Sequence, residues 1–467
     1  MAAVRRGGEG VRRRRLLGAA GGTMAAGVLG SALGACRAGG PSGGDGAAPG
    51  AVKQGTTLQW MYWSTPGPWL EANQKEAAAF EAQYARLGLK IEQLNVPSGQ
   101  AFLDKLTSLV AGGTPPDVAE IMPWDVPQFQ SRKTLLNLTP YVKRDKYDLS
   151  DFFAAGFDQY RWTADGKPGG TSGGDLYGVP RDFPTRALGF NLEALQEVGA
   201  PLPATGWGTT SWNWQTFLDV ALRATKRGDG PNGVSRWGWH GHEGLQEWMP
   251  WIFNHGGEFV SPDGLELRFD HPKTVEAFQF LADLQHRHQV APTPQQRQAE
   301  GPMDQAFFNG RLAMHHFGPA QLGRYRQAIQ GFTFDVAVWP RTTPQGTSVG
   351  SGSGWLVLAG TRDPEASWLL IQHLLSPETQ QTDAEAGSGV PVRRSTMEQV
   401  FVKQAAPPKN VKVFLDNANV ARIVPQVPKW TEMIQVVNQE LPALWRGDKT
   451  AREVCGEIQR QAAPLLK

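Results

Sequence analysis

From Thr57 onward the apolar positions switch between two spacings. "TLQWMYWS" (residues 57–64) is a dense apolar and aromatic run, which predicts a strand. The next stretch, "PWLEANQKEAAAFEAQYARLG", places Leu70, Ala77, Phe80, Tyr84 and Leu87 at roughly helical spacing. "KIEQLNV" predicts a second strand. "GQAFLDKLTSLVAGG" predicts a second helix, with Phe102, Leu106 and Leu109 facing inward and Gly112 ending it. "PDVAEIM" then predicts a third strand. Strands alternating with helices predict a mostly parallel sheet covered on both faces, an α/β fold. Ligands in such sheets collect at the carboxyl ends of the strands, here "YWSTPG" and "MPWD". Farther along, "HGHEGLQEWMPWIFNHGGEFV" predicts a helix with Trp248, Trp251 and Ile252 on one face and Gly256 and Gly257 at its end.

The first 56 residues follow a different pattern. A basic start is followed by an uncharged Ala/Gly/Leu stretch and a small-residue site, the anatomy of an export signal over residues 1–35. Its "LLGAAGGTMAAGVLGSALGA" core holds six glycines, so a transmembrane helix is the weaker reading. "RRRLL" (Arg13 to Leu17) fits twin-arginine export, with the general export route as the alternative. "LGAC" (Leu33 to Cys36) resembles a bacterial lipobox, which makes Cys36 the expected lipidation site and membrane anchor. Residues 36–56 then read as that lipidated cysteine and a flexible tether. The other cysteine, Cys455, is left alone, so no internal disulfide is expected.

Charge and composition narrow the partners. Residues 1–35 hold six Arg and one Glu, a net +5, so the rest of the chain carries −3 rather than the formal +2. No basic cluster has the density of a phosphate-binding face, and nucleic acid is not an expected partner. Tryptophan is heavily used, 17 in 467 residues against 7 Tyr, often beside Gly or Pro where binding loops are built.

The blocks "VAGGTPPDVAEIM", "LLNLTPYV" and "LYGVPRDFPTRALGFNLEALQEVGAPLP" resemble, in order and spacing, family 1 extracellular solute-binding proteins, the receptors of carbohydrate ABC importers. The resemblance continues through "SWNWQTFLDVALRAT", "FFNGRLAMHHFG", "GSGSGWLVLAG" and "SWLLIQHLLSPETQQTDAEAGSGVPVRRS". It implies two α/β lobes joined by a hinge that the chain crosses three times. The first lobe would hold residues 57–179 and 350–388, and the second 183–338 and 394–467. Residues 180–182, 339–349 and 389–393 would form the hinge. It also implies a sugar or oligosaccharide ligand, ABC permease subunits with a separate ATPase as partners, a monomer, and no cofactor.

A sugar needs aromatic platforms for its C–H faces and fixed polar groups for its hydroxyls. Trp63 with Ser64, and Trp124 with Asp125, match ligand-contacting turns of the family. Arg181, Asp182 and Phe183 would lie on the cleft floor, although Arg181 and Asp182 could instead pair with each other. Either Trp248 or Trp251 could face the cleft while the other packs in the core. In "GSGSGW", Gly352, Ser353 and Trp355 would bring backbone close to the ligand. The chain reads "FGPAQL" where many members carry an indole, so Ala320 removes one platform and Phe317 is its expected substitute. Arg393 and Trp430 complete the expected set. A glycosidase would use similar aromatics with two carboxylates, and Glu243 with Glu247 is the available pair. The histidine pairs 240/242, 286/288 and 315/316 lack metal-site spacing and read as surface or capping residues.

Overall fold

The computed structural model describes residues 50–164, 166–170, 173–427 and 429–466. The export signal and Cys36 lie outside the described residues. Two five-stranded sheets organise the chain. The first runs β2 (Lys90–Asn95), β1 (Thr57–Tyr62), β3 (Val118–Ile121), β13 (Gly354–Val357), β6 (Val179–Pro180). The second runs β11 (Phe334–Ala337), β7 (Ala187–Asn191), β10 (Leu312–Phe317), β9 (Val234–His240), β8 (Lys226–Arg227). A short parallel pair, β12 (Ser348–Gly350) with β14 (Ala421–Ile423), and a hairpin, β4 (Arg161–Trp162) with β5 (Asp175–Leu176), complete the strands.

β1 lies inside the sheet, between β2 and β3, because its apolar run fits a strand covered on both faces: Leu58, Trp60, Met61 and Tyr62 are all buried. β2, β1 and β3 are parallel, as alternation with helices requires, and so are β9 and β10. β13 reaches the first sheet by returning from the second, and it runs antiparallel to both β3 and β6. The helix Pro68–Gln83 buries Ala72, Ala77 and Phe80. The predicted helix continues to Leu87. In the structure it gives way at Tyr84 to a 3₁₀ turn closed by Gly88, whose φ of 68° suits glycine. The helix Gln100–Ala111 buries Phe102 and Leu106, whereas Leu109 is only half-buried.

The second lobe closes around stacked aromatics. Trp251 sits edge-on to Phe217, Trp239 and Trp339 at ring separations of 4.8, 5.6 and 5.8 Å. The chain leaves the first sheet at Pro180 and enters the second at Ala187, then returns through β12 to β13. It leaves again after the helix Pro377–Ala386, which packs on the helix Pro68–Gln83. Among the described residues no helix is long and apolar enough to cross a membrane.

Candidate functional site

The carboxyl ends of β1 and β3 open onto a cavity of about 510 Å³. Its opposite wall is the helix Trp430–Trp445, which packs on the helices Ala451–Ala462 and Pro272–His286 of the second lobe. Trp63, Phe102, Trp124 and Trp430 give it aromatic walls, and Gln100, Gln435 and Asn438 add neutral polar groups. Four sequence-predicted residues therefore meet here: Trp63, Trp124, Asp125 and Trp430.

Local structure fixes each of them. Trp63 stands edge-on to Phe102 at 4.8 Å and 89°. Its backbone N–H faces Glu120 Oε2 at 3.4 Å. Ser64 follows, its N–H donating to Asn95 Oδ1 at 2.9 Å, but its buried hydroxyl has no partner among the described residues and it does not line the cavity. Trp124 and Asp125 ride the 3₁₀ turn Pro123–Asp125 that ends β3. Trp124 is half-buried, the state expected of a platform with one free face. Asp125 precedes the helix Val126–Gln130 without capping it. Desolvation alone pushes its carboxyl up to about 6. Gln426, which sequence reasoning missed, holds the facing helix in place. Its side-chain amide donates to the Pro123 carbonyl at 3.2 Å and to the Gln159 carbonyl.

Behind the aromatic wall lies a buried ionic cluster. Arg181, only 2% exposed, pairs with Asp383 at 3.1 Å and lies 3.9 Å from Glu120. It also donates to the Ser388 carbonyl at 3.0 Å, and its guanidinium lies over the rings of Trp69 and Trp355. Asp182 is engaged elsewhere, accepting the Ser353 N–H at 2.9 Å. Neither the cleft-floor role of Arg181 nor its direct pair with Asp182 is what forms. The low-dielectric interior selects carboxylates already buried beside it. Burial lifts Glu120 to about 7, against the opposing pull of Arg181 and a hydrogen bond from Ser353 Oγ. Burial likewise lifts Asp182 to about 6 and Glu76 well above the usual carboxylate range.

A folded-state pKa raised above the unfolded one means stability present at low pH is lost as pH rises through the folded value. Wild type should therefore gain stability relative to Glu120→Gln as pH falls from about 8 to about 6. Comparing the two cancels the opposite contribution of buried histidines. Equal slopes in parallel denaturation curves would contradict the assignment.

The remaining sequence-predicted residues are structural. Trp248 and Trp251 are both fully buried, Trp248 among Phe259, Phe269 and Phe278, so neither faces the cavity. Phe317 is fully buried against Tyr325 at 4.4 Å and Phe334, and it does not replace the missing indole. Phe183 stacks on Phe153, and Trp355 packs edge-on to Trp60 at 5.4 Å. A side chain at Gly352 would collide with the Asp182 carbonyl, so this glycine serves the crossing of two chain segments. Ser353 spends both its N–H and its hydroxyl on Asp182 and Glu120. Arg393 is tied to Asp151 at 3.0 Å, to the Leu375 carbonyl at 2.6 Å, and lies over Phe152.

Glu243 pairs with Arg297 at 2.5 Å, while Glu247 accepts the N–H groups of Glu243 and Gly244 at the start of the helix Leu245–Asn254. Neither lines the cavity. His240, His242 and His315 are buried rather than at the surface, and His286 is exposed. Among the described residues no group of three or more His, Cys, Asp or Glu side chains is placed to hold a metal ion. A wider depression of about 650 Å³ lies on the second lobe alone. Its Arg236 is already paired with Glu197 at 2.6 Å, which leaves it little to offer a ligand.

Two α/β lobes with an aromatic cavity between strand ends and a facing helix define a protein that encloses a small solute. The chain belongs to the bacterial extracellular solute-binding protein family, whose model matches residues 44–381. The arabinooligosaccharide-binding protein of Halalkalibacterium halodurans is 21% identical over 236 residues, 50% of this chain and 46% of that protein. The chain thus spans about half the length of that relative. The sn-glycerol-3-phosphate-binding periplasmic protein of Escherichia coli is 21% identical over 69% of this chain and 74% of its own. Among solved structures, the sugar-binding protein MalE of Xanthomonas citri superposes with a TM-score of 0.73 at 22% identity, covering 88% of this chain and 97% of that one. An ABC substrate-binding protein of Listeria monocytogenes, in complex with cycloalternan, gives 0.72 at 22% identity, with 88% and 98% covered.

Proposed function

We propose that the chain is the receptor of an ABC importer, capturing a carbohydrate in the cavity between its lobes and presenting it to the permease. The observation that carries this reading is the convergence of Trp63, Trp124 and Trp430 on one cavity with neutral hydrogen-bonding groups between them. Relatives with carbohydrate names support it, and family membership supports an extracytoplasmic setting. No Lys, Arg or His is among the described residues lining the cavity, which favours a sugar over the phosphate ester named for the E. coli relative. The hinge would be residues 180–182, 339–349 and 389–393, where closure is absorbed by a few torsions.

Fluorescence titration with mono- and oligosaccharides tests the reading, since indoles leave water on closure. Saturable shifts with sugars recovered intact are expected. Steady release of reducing ends would instead favour a glycosidase. Asp125 is the single carboxylate among the described lining residues, whereas that chemistry ordinarily uses two.

The reading includes export by the signal in residues 1–35 and lipid attachment at Cys36. Cys36→Ser is expected to shift the protein from the membrane fraction to the soluble one, or to leave an unprocessed precursor. Intact-mass measurement of wild type with residues 1–35 attached and an unmodified thiol would contradict it.

A further inference from the structure

Asp125 is the one ionisable side chain among the described residues lining the cavity, and no cation shares that lining with it. Among the described residues its carboxylate accepts no hydrogen bond. Among the described residues no Lys, Arg or His pairs with it, and its side chain does not cap the helix that follows. An enclosed carboxylate without a counter-charge is costly, and a ligand that closes the cavity removes what water it has left. Three indoles and a phenyl ring share the space with it, and the faces of such rings attract cations. Neutral hydroxyls could hydrogen-bond the carboxylate but would leave its charge uncompensated.

We propose that the solute carries a protonated amine, an amino sugar, with its ammonium group on Asp125 and its ring face on the indole of Trp124. This rests on the carbohydrate reading above and narrows it. Uronates and sugar phosphates are excluded by the same arrangement, because they would add like charge beside an unpaired carboxylate.

The test uses the full mature protein and calorimetric titration with matched sugars. Glucosamine, galactosamine, mannosamine and the β-1,4 disaccharide of glucosamine are each compared with their N-acetyl and hydroxyl counterparts. At least one free-amine sugar should bind tenfold or more tightly than both counterparts, and its affinity should fall with added salt. Asp125→Asn, checked for an unchanged melting temperature, should bring that ratio close to one. The proposal is overturned if no amine form is preferred, or if the preference survives in Asp125→Asn. It is also overturned if the wild-type preference is insensitive to salt, a result that needs no variant. Binding of neutral sugars without an amine preference would leave the carbohydrate reading standing and remove only this inference. Binding of no sugar in any form would remove both.

Discussion

Arg181→Met is expected to destabilise the ligand-free protein by about 3–5 kcal/mol, the usual cost of stranding buried charge by deleting its partner. Among the described residues Arg181 is the one cation pairing with Glu120 and Asp383 in their buried cluster, and Glu76 adds a third carboxylate to the same field. Methionine fills much of the same volume, so the loss reports charge rather than a hole. Part of the loss should return in the double variant Arg181→Met with Asp383→Asn, because the stranded carboxylate is then gone. Denaturant titration reads both. A loss below about 1 kcal/mol would mean that the cluster is open to water and behaves like a surface pair. The cluster joins the first crossing of the chain to the end of the helix Pro377–Ala386 and, through Ser353, to the strand that returns at β13. That is why it is expected to set the stability of these joined segments as a unit.

Trp251→Ala is expected to cost a comparable 3–5 kcal/mol, through lost packing instead of lost charge. The indole is fully buried and touches Phe217, Trp239 and Trp339, so truncation leaves a void that these three large rings cannot fill without leaving their rotamers. Protein that remains folded should bind sugar with wild-type affinity. A variant that melts normally but fails to bind would return Trp251 to the ligand site, against its burial.

These two residues also mark what the sequence does and does not make legible. Strand β1 and the helices after it follow from periodicity, because apolar spacing records which faces are covered. The turns bearing Trp63 and Trp124 follow too, since they end strands of a parallel segment where solutes collect. Trp248 and Trp251 share the same helical periodicity, and spacing cannot tell a core indole from one facing a cleft. Burial decides that, and much of it comes from Phe278 and Trp339, outside the helix and about 30 and 90 positions away. Arg181 was visible as a charged residue in a crossing. Its partners Glu120 and Asp383 lie about 60 and 200 positions away, and no local pattern connects them. Gln426 carries no signal at all: an amide in a loop acquires its role only when the Pro123 carbonyl is brought beside it.

The central claim is that the cavity between β1, β3 and the helix Trp430–Trp445 holds the sugar. Trp124→Ala tests it most directly, because Trp124 is half-buried and contributes a face to the cavity and little to the core. Truncating a stacking indole should weaken binding by roughly 1–4 kcal/mol, about fivefold to nearly a thousandfold in dissociation constant. The measurement is calorimetric titration of wild type and variant with the same bound sugar, paired with melting curves of both ligand-free proteins. The account predicts weakened binding with a nearly unchanged melting temperature. Unchanged binding with a much lower melting temperature would make Trp124 a core residue and put the ligand elsewhere.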